Sequence, residues 1–128
     1  TILEIGAAEI AIKNITDEQI EKLEALYIEA HFPKEEIEYS RFMEIDSKFH
    51  MELINITQNR RLIKVYKRLN AHMQIVRFQF VRNRKGPLPW TQEDHLKILE
   101  ALKQRDLEKL KTAIRNHINR ARDAFLKK

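Results

Sequence analysis

The sequence has 128 residues, of which 43% are hydrophobic and 34% charged, so it suits one domain with a buried core. This composition excludes disordered, collagen-like and low-complexity proteins. The absence of cysteine excludes disulfides, thiolate catalysis and cysteine-based zinc sites. The net charge of +5 is spread along the chain, so it permits contact with nucleic acid without arguing for it.

No charge-free segment has the length of a membrane-spanning helix, and no secretory signal pattern is present, so we expect a cytoplasmic protein. The sequence starts at Thr1 and enters an apolar pattern within two residues. We therefore expect it to be part of a longer protein.

Hydrophobic residues recur at helical spacing in six segments, and no segment sustains the alternation of a β-strand. The predicted helices run from about Ile2 to Asn14, from the cap Thr16 to the residues before Pro33, from Lys34 to Thr57, from the cap Asn59 to the break at Gly86–Pro89, from Thr91 to about Gln104, and from the cap Asp106 to the C-terminus. With only 2 Gly and 3 Pro, the chain lacks the turn residues of an all-β fold. The prediction is an all-α fold, a six-helix antiparallel bundle that forms one domain over residues 1–128.

Two residue pairs have the spacing of a capping box, in which side chains satisfy the free backbone N–H groups at the start of a helix. These pairs are Thr16 with Gln19 and Thr91 with Asp94. They predict the starts of the second and fifth helices.

Four ionisable side chains interrupt the apolar faces of the predicted helices. Successive helical residues rotate by about 100°, which places Asp46 near the middle of the apolar stripe on the third helix and His50 one turn further along it. His95 on the fifth helix and His117 on the sixth also lie on apolar faces. Buried carboxylates and imidazoles are costly unless they are paired, hydrogen-bonded or coordinated to a metal.

The positions of these residues along the helix axes agree as well. His95 lies 10 residues before a turn near position 105 and His117 lies 12 residues after it, so an antiparallel hairpin brings them level to within about a turn. One Asp and three His suit a divalent transition metal such as Zn, Ni, Fe or Mn. A single His on an apolar face is more often a hydrogen-bonded core residue, and Asp46 with His50 could form a local pair, so both interpretations stay open.

We expect structural roles for the other two histidines, His31 and His72. His31 lies at the end of the second helix, where a cation suits the helix dipole. His72 flanks the apolar stripe of the fourth helix and is expected at the boundary of the core.

Short motifs along the whole chain follow the order found in one family. The sequence resembles the FCD domain, the all-helical effector-binding domain of FadR-type GntR transcription regulators. The matching residues are Asp46-Ser47-Lys48-Phe49-His50, Asn59 with Leu62, Glu93-Asp94-His95 with Ile98-Leu99-Glu100-Ala101-Leu102, Arg105-Asp106, and His117-Ile118. Gln58 stands where the family usually has Gly, which we expect to alter only the local turn.

The resemblance implies a divalent metal, with Zn first and Ni, Mn or Fe as alternatives, bound by Asp46, His50, His95 and His117. It implies a small carboxylate effector beside that metal, a homodimer, and no enzymatic activity. It also implies that DNA is bound through an N-terminal winged-helix domain, which this sequence does not contain.

Arg77 is the predicted anchor for an effector carboxylate. It lies toward the inward edge of the fourth helix, and a guanidinium group matches the two oxygens of a carboxylate. The alternative for Arg77 is an arginine at an interface or on the surface.

Two other functions stay open at the sequence level. An open metal site in a helical bundle could activate water in a metalloenzyme, although no second carboxylate is clearly placed as a general base. A closed, tetrahedral metal could instead be purely structural.

Overall fold

The computed structural model describes residues 2–81 and 90–126, with some side chains within these ranges left out. Six helices follow one another along the chain: α1 (Ile2–Asn14), α2 (Asp17–His31), α3 (Tyr39–Asn55), α4 (Arg60–Val81), α5 (Thr91–Gln104) and α6 (Leu107–Leu126). The described residues contain no β-strand, so the predicted all-α class is confirmed. Within those same residues, no helix is both long enough and apolar enough to cross a membrane.

The start of α3 differs from the sequence prediction. A helix was expected from Lys34, but α3 begins at Tyr39 and follows Glu38, whose backbone is extended. The half-buried Ile37 lies in the connection before α3 and packs against the buried cluster that contains Phe42. Tertiary packing of this one apolar side chain therefore outweighs the helical tendency of the charged residues around it.

One of the two predicted capping boxes is confirmed. The Gln19 backbone N–H donates to Thr16 Oγ1 at 3.2 Å, and the Thr16 backbone N–H donates to Gln19 Oε1 at 2.9 Å. The box expected from Thr91 and Asp94 is wrong, because α5 begins at Thr91 itself and its N-cap is Trp90, which makes no side-chain cap bond. The Asp94 carboxylate is directed toward α6 instead.

The predicted N-caps at Asn59 and Asp106 are confirmed. Asn59 Oδ1 accepts a hydrogen bond from the Leu62 backbone N–H at 3.1 Å. Asp106 Oδ1 accepts one from the Lys109 backbone N–H, also at 3.1 Å. These caps set the short turns that fold α4 back on α3 and α6 back on α5.

A left-handed residue closes each of these two turns. Gln58 has a φ of 57° and Arg105 a φ of 51°. This backbone region is costly for residues with a Cβ atom and natural for glycine. The departure at Gln58 from the glycine of the family therefore falls at a position where glycine has a physical advantage. The predicted break at Gly86–Pro89 lies outside the described residues.

The largest apolar cluster joins α1, α2, α3, α5 and α6. Helix α5 packs on α6 and on α2, α3 packs on α2 and α4, and α1 packs on both α3 and α6. The centre of the cluster consists of leucines with at most 1% exposure: Leu23, Leu53, Leu99, Leu102 and Leu110. This core fixes the helices whose inward polar residues form the site described below.

As far as His72, helix α4 buries fewer apolar side chains than its apolar pattern predicts. Tyr66 is buried, but Leu69, expected on the same face, is 46% exposed. One turn beyond Tyr66, the half-buried Asn70 donates from Nδ2 to Ser47 Oγ of α3 at 2.6 Å. Between Arg60 and His72, the inward face of α4 therefore includes Tyr66 and Asn70 and leaves Leu69 exposed.

Candidate metal centre

Four side chains from three helices meet in the interior of the bundle. Asp46 and His50 come from α3, His95 from α5 and His117 from α6, and none is more than 8% exposed. Each offers one ligand atom, and these four atoms all lie within 4.8 Å of one another. Bonds from zinc to nitrogen and oxygen ligands are roughly 2.0–2.2 Å long, so two such ligand atoms of one ion are at most about 4.4 Å apart. The four groups would therefore need only small shifts to contact a single ion.

The local fold explains why these residues converge. The turn around Arg105 brings α5 and α6 side by side, and the His95 and His117 ring centroids lie 4.7 Å apart. His50 stacks on His117 at 5.4 Å with an angle of 9° between the ring planes. Phe49 of α3 stacks on the other side of the cluster against His95, at 5.1 Å. Rigid apolar packing therefore holds the imidazoles close to their binding geometry.

The distance between Asp46 and His95 is compatible with two ligands of one cation as well as with a hydrogen bond. His95 Nε2 lies 2.9 Å from Asp46 Oδ1, and His50 Nε2 lies 3.4 Å from the same oxygen. Yet among the described residues His95 Nε2, which is completely buried, has no hydrogen bond of proper alignment. Neighbouring ligands of a six-coordinate ion are about 3 Å apart, so this pair of atoms fits a shared metal.

The protonation states of Asp46 and His95 are those that bind a metal. Burial by itself would raise the pKa of the Asp46 carboxyl, but the His50 and His95 imidazoles hold that pKa well below its usual range. Burial lowers the pKa of His95 to about 4, against the opposing effect of Asp46. At neutral pH the carboxylate is therefore charged and the His95 imidazole neutral, as metal ligation requires.

Comparison with known proteins identifies the fold family. The family model described as the FCD domain matches residues 1–120. The chain belongs to the FCD domain family. The resemblance seen in the sequence, to the FCD domain of GntR-type transcription regulators, is thereby confirmed.

Two proteins similar to this FCD domain are longer than it. The Nta operon transcriptional regulator of Aminobacter aminovorans is 25% identical over 124 residues, which cover 97% of this chain and 57% of the relative. The structure of E. coli McbR/YncC superposes with a TM-score of 0.79 at 15% identity, over 98% of this chain and 63% of that one. That level of identity shows a shared fold alone. The FCD domain spans less than two thirds of the length of both proteins.

Asp94 is a residue of the FCD domain site that the sequence analysis missed. Its side chain is 2% exposed, and Oδ2 lies 3.2 Å from His117 Nδ1. On its other side Oδ1 lies 3.3 Å from Arg120 Nη1. Burial would raise the pKa of the Asp94 carboxyl, but the His117 hydrogen bond and the Arg120 charge hold it below its usual value. The His117 Nδ1–H thus donates to a carboxylate, which leaves Nε2 as the ligand atom.

His31 also belongs to the surroundings of the cluster. Its Nε2 lies 2.8 Å from His95 Nδ1, and its ring lies between those of Tyr27 and Phe42, at centroid distances of 5.0 and 5.5 Å. Burial lowers the pKa of His31 to about 4, so the expectation of a cation at the end of α2 is wrong. The cause is the packing of α2 on α5, which removes His31 from water.

The remaining predicted positions lie away from the cluster or outside the described structure. His72, expected at the core boundary, is exposed. Arg77 lies on α4, but its side chain is outside the part of the chain that the structure describes. The structure therefore brings together the four predicted ligands and leaves the predicted effector anchor untested.

Proposed function

We propose that this FCD domain is the ligand-sensing part of a bacterial GntR-type transcription regulator. It binds one divalent transition metal through Asp46, His50, His95 and His117, with zinc first and Ni, Mn or Fe as alternatives. The observation that carries the proposal is the convergence of these four buried ligand groups from three helices.

The donor set supports a transition metal over a hard ion. Three imidazoles and one carboxylate suit Zn, Ni, Fe or Mn, whereas Mg and Ca prefer oxygen ligands. The residues outside the cluster also support ligation, because Asp94 accepts from His117 on the side away from the cluster. When bound, the metal supplies a positive centre that can hold an anionic oxygen.

A small organic acid is the proposed effector. Four protein ligands leave one or two positions on a five- or six-coordinate metal, which suits a carboxylate oxygen. Arg77 on α4 is the proposed partner for a second anionic group of the effector. The Arg77→Lys variant keeps the charge but loses the two-pronged hydrogen bond, so it should weaken effector binding.

The proposed output is DNA binding by the full-length protein. DNA is bound by a winged-helix domain N-terminal to this one, and the protein acts as a homodimer. A relative of this chain is described as a transcriptional regulator and is considerably longer, which supports this organisation. The effector can shift DNA binding only if it binds the two states of the dimer with different affinity.

A structural metal is the second candidate. All four ligand residues are at most 8% exposed, so the ion would also fasten α3, α5 and α6 together. Hydrolysis is less well supported. The second carboxylate of the site, Asp94, lies against His117 and Arg120, so it is not placed as a general base.

Metal content tests the first step. We expect about one transition metal per purified chain, and a lower melting temperature after chelation. The variants Asp46→Asn and His117→Ala should lose metal, whereas His72→Ala, which removes an exposed imidazole, should retain it. A chain without metal that Zn and Ni do not stabilise would contradict the proposal.

Calorimetry separates the sensor from the structural metal. Mono-, di- and tricarboxylates are titrated into metal-loaded and metal-stripped protein. A sensor binds one of these acids only when loaded, and Arg77→Ala weakens that binding. A purely structural metal leaves the loaded protein unresponsive to all of them.

A further inference from the structure

We propose that His31 is a positioning residue for the metal centre, because it offers the Nδ1 atom of His95 a donor when no metal is bound and an acceptor when a metal is bound. This inference rests on the proposed metal function and adds a residue to it. His31 was not predicted to belong to the site, and its role follows from one contact across the α2–α5 interface.

Each ring nitrogen of His95 has a polar atom within 3 Å. Nε2 lies 2.9 Å from Asp46 Oδ1, and Nδ1 lies 2.8 Å from His31 Nε2. The His95 side chain is completely buried, so water does not compete for either nitrogen. A neutral imidazole has one N–H and one bare nitrogen, so the neighbours decide the tautomer.

Without metal, the proton of His95 belongs on Nε2. Two bare acceptor atoms 2.9 Å apart would repel each other, and an N–H facing the Asp46 carboxylate removes that repulsion. Nδ1 of His95 is then bare and accepts a hydrogen bond from the Nε2–H of His31.

A metal on Nε2 of His95 reverses this arrangement. Nε2 must then be bare, so the proton of His95 lies on Nδ1 and is donated to His31 Nε2. The proton of His31 lies on Nδ1. His31 Nε2 passes its proton to His95 Nδ1, and His95 Nε2 releases its proton to solvent as the metal binds. His31 Nδ1 takes up one proton from solvent, so each ring carries one proton before and after. His31 therefore supplies a donor to one state of His95 and an acceptor to the other.

The surroundings of His31 allow the exchange. His31 Nδ1 is buried and has no hydrogen-bond partner within the described part of the chain, so no other bond there is broken when it takes up the proton. The rings of Tyr27 and Phe42 pack beside His31 and hold it in place. A ring at this position is thus kept in line with His95 in both states.

The test compares two substitutions of His31. The His31→Phe variant keeps an aromatic ring for packing but has no acceptor. We expect its affinity for zinc to be at least about tenfold lower than that of the parent protein. The His31→Gln variant keeps an acceptor oxygen and should bind zinc more tightly than His31→Phe. The His72→Gln variant removes an exposed imidazole and serves as the control.

Nitrogen-15 NMR of the imidazole rings in the unsubstituted protein gives a second, independent readout. Zinc should move the proton of His31 from Nε2 to Nδ1, which a merely structural role would not do. If the protein binds none of Zn, Ni, Mn and Fe, the proposed metal function itself is wrong. If it binds zinc while the His31 tautomer stays unchanged, or if His31→Phe binds zinc as the parent does, the role of His31 alone is overturned.

Discussion

At the residue scale, the adjacent residues Asp94 and His95 contact two different residues of one site. Neighbouring residues on a helix point about 100° apart. His95 therefore reaches Asp46 of α3, while Asp94 reaches His117 of α6. One turn of α5 thus contacts two other helices. A change at Asp94 or His95 is therefore expected to affect a proposed ligand on α6 or α3.

The Asp94→Asn substitution should weaken zinc binding by about 10- to 100-fold. An amide removes the negative charge that holds the Nδ1–H of His117, and it can turn an NH₂ group toward that nitrogen instead. Isothermal titration with zinc measures the effect. The matched control is Glu93→Gln, since Glu93 is an exposed neighbour that pairs with Lys97 on the surface. Parent-like affinity in Asp94→Asn would show that the carboxylate does not support the ligand.

Acid should destabilise the metal-free domain between about pH 6.5 and pH 4. His95 and His31 have pKa values near 4 in the folded state, against an ordinary value of 6.5. In this window the unfolded chain binds more protons, so the free energy of unfolding falls as the pH falls. For the fully buried His95 the loss is on the order of a few kcal/mol. Asp46 contributes only below about pH 4, because its folded pKa lies under its ordinary 3.8.

Urea unfolding of chelator-treated protein at pH 7, 6 and 5 measures this loss. The His31→Gln variant should show a shallower dependence on pH than the parent, and His72→Gln should not differ from it. A free energy of unfolding that stays constant across this range would contradict the buried, neutral state of the two imidazoles.

The sequence predicted the four residues of the buried cluster but not the residues that hold them. Asp46, His50, His95 and His117 interrupt apolar stripes, so helical periodicity alone places them inward. Asp94 also had a local explanation, as a capping residue, and local spacing does not reveal that its partner lies 23 residues away on α6.

His31 escaped notice for a related reason. Its position at the end of α2 says nothing about which helix packs there, and only the α2–α5 contact gives it a role. The inward position of a residue on its own helix could thus be predicted from the sequence. A contact with a residue on another helix could not.

At the element scale, the helix termini and turns were largely predictable, because their chemistry is local. Thr16, Asn59 and Asp106 all accept the backbone hydrogen bonds expected of N-caps. There are two exceptions. At the start of α3, packing of Ile37 replaces the first turn of the predicted helix. At the start of α5, Asp94 pairs with His117 and the predicted capping box is not formed.

The Gly6→Ala substitution should stabilise α1. Gly6 is an exposed helical residue, and a Cβ atom added there would have no neighbour within 4 Å. Alanine reduces the freedom of the unfolded chain without a clash, for a gain of about 0.5–1 kcal/mol. The urea midpoint should rise, and the reverse change Ala8→Gly, at a fully buried position of α1, should lower it. A lower midpoint for Gly6→Ala would indicate that α1 needs the glycine.

The Gln58→Gly substitution should stabilise the turn between α3 and α4. With a φ of 57°, Gln58 is strained in a way that glycine is not. The relief exceeds the added freedom of the unfolded chain, so we expect a gain of about 0.5–1 kcal/mol. Gln58→Ala keeps the strain and is the control. Equal stability of the two variants would mean that the turn does not strain the residue at this position.

At the scale of the whole molecule, net charge alone should not produce sequence-specific DNA binding by this domain. The chain carries +5, but sequence is read by elements that reach base edges in a groove, and the proposed reader is a separate winged-helix domain. Selection from a random duplex pool at physiological salt should enrich no motif with this chain and one motif with the full-length protein. An enriched motif with this chain alone would overturn the assignment of sensing and DNA reading to separate domains.

The packing of α1 has a mechanical consequence for any such sensor. Helix α1 packs on both α3 and α6, and its contacting residues Ala7, Ala8 and Ala11 are fully buried. A methyl group has no rotamers with which to absorb a change in helix separation, and close-packed interiors transmit strain. Helix α3 carries two of the proposed ligands and α6 a third, so we expect a change in the spacing of these two helices to alter the tilt of α1. Helix α1 is thus in direct contact with two of the three helices that carry the proposed metal ligands.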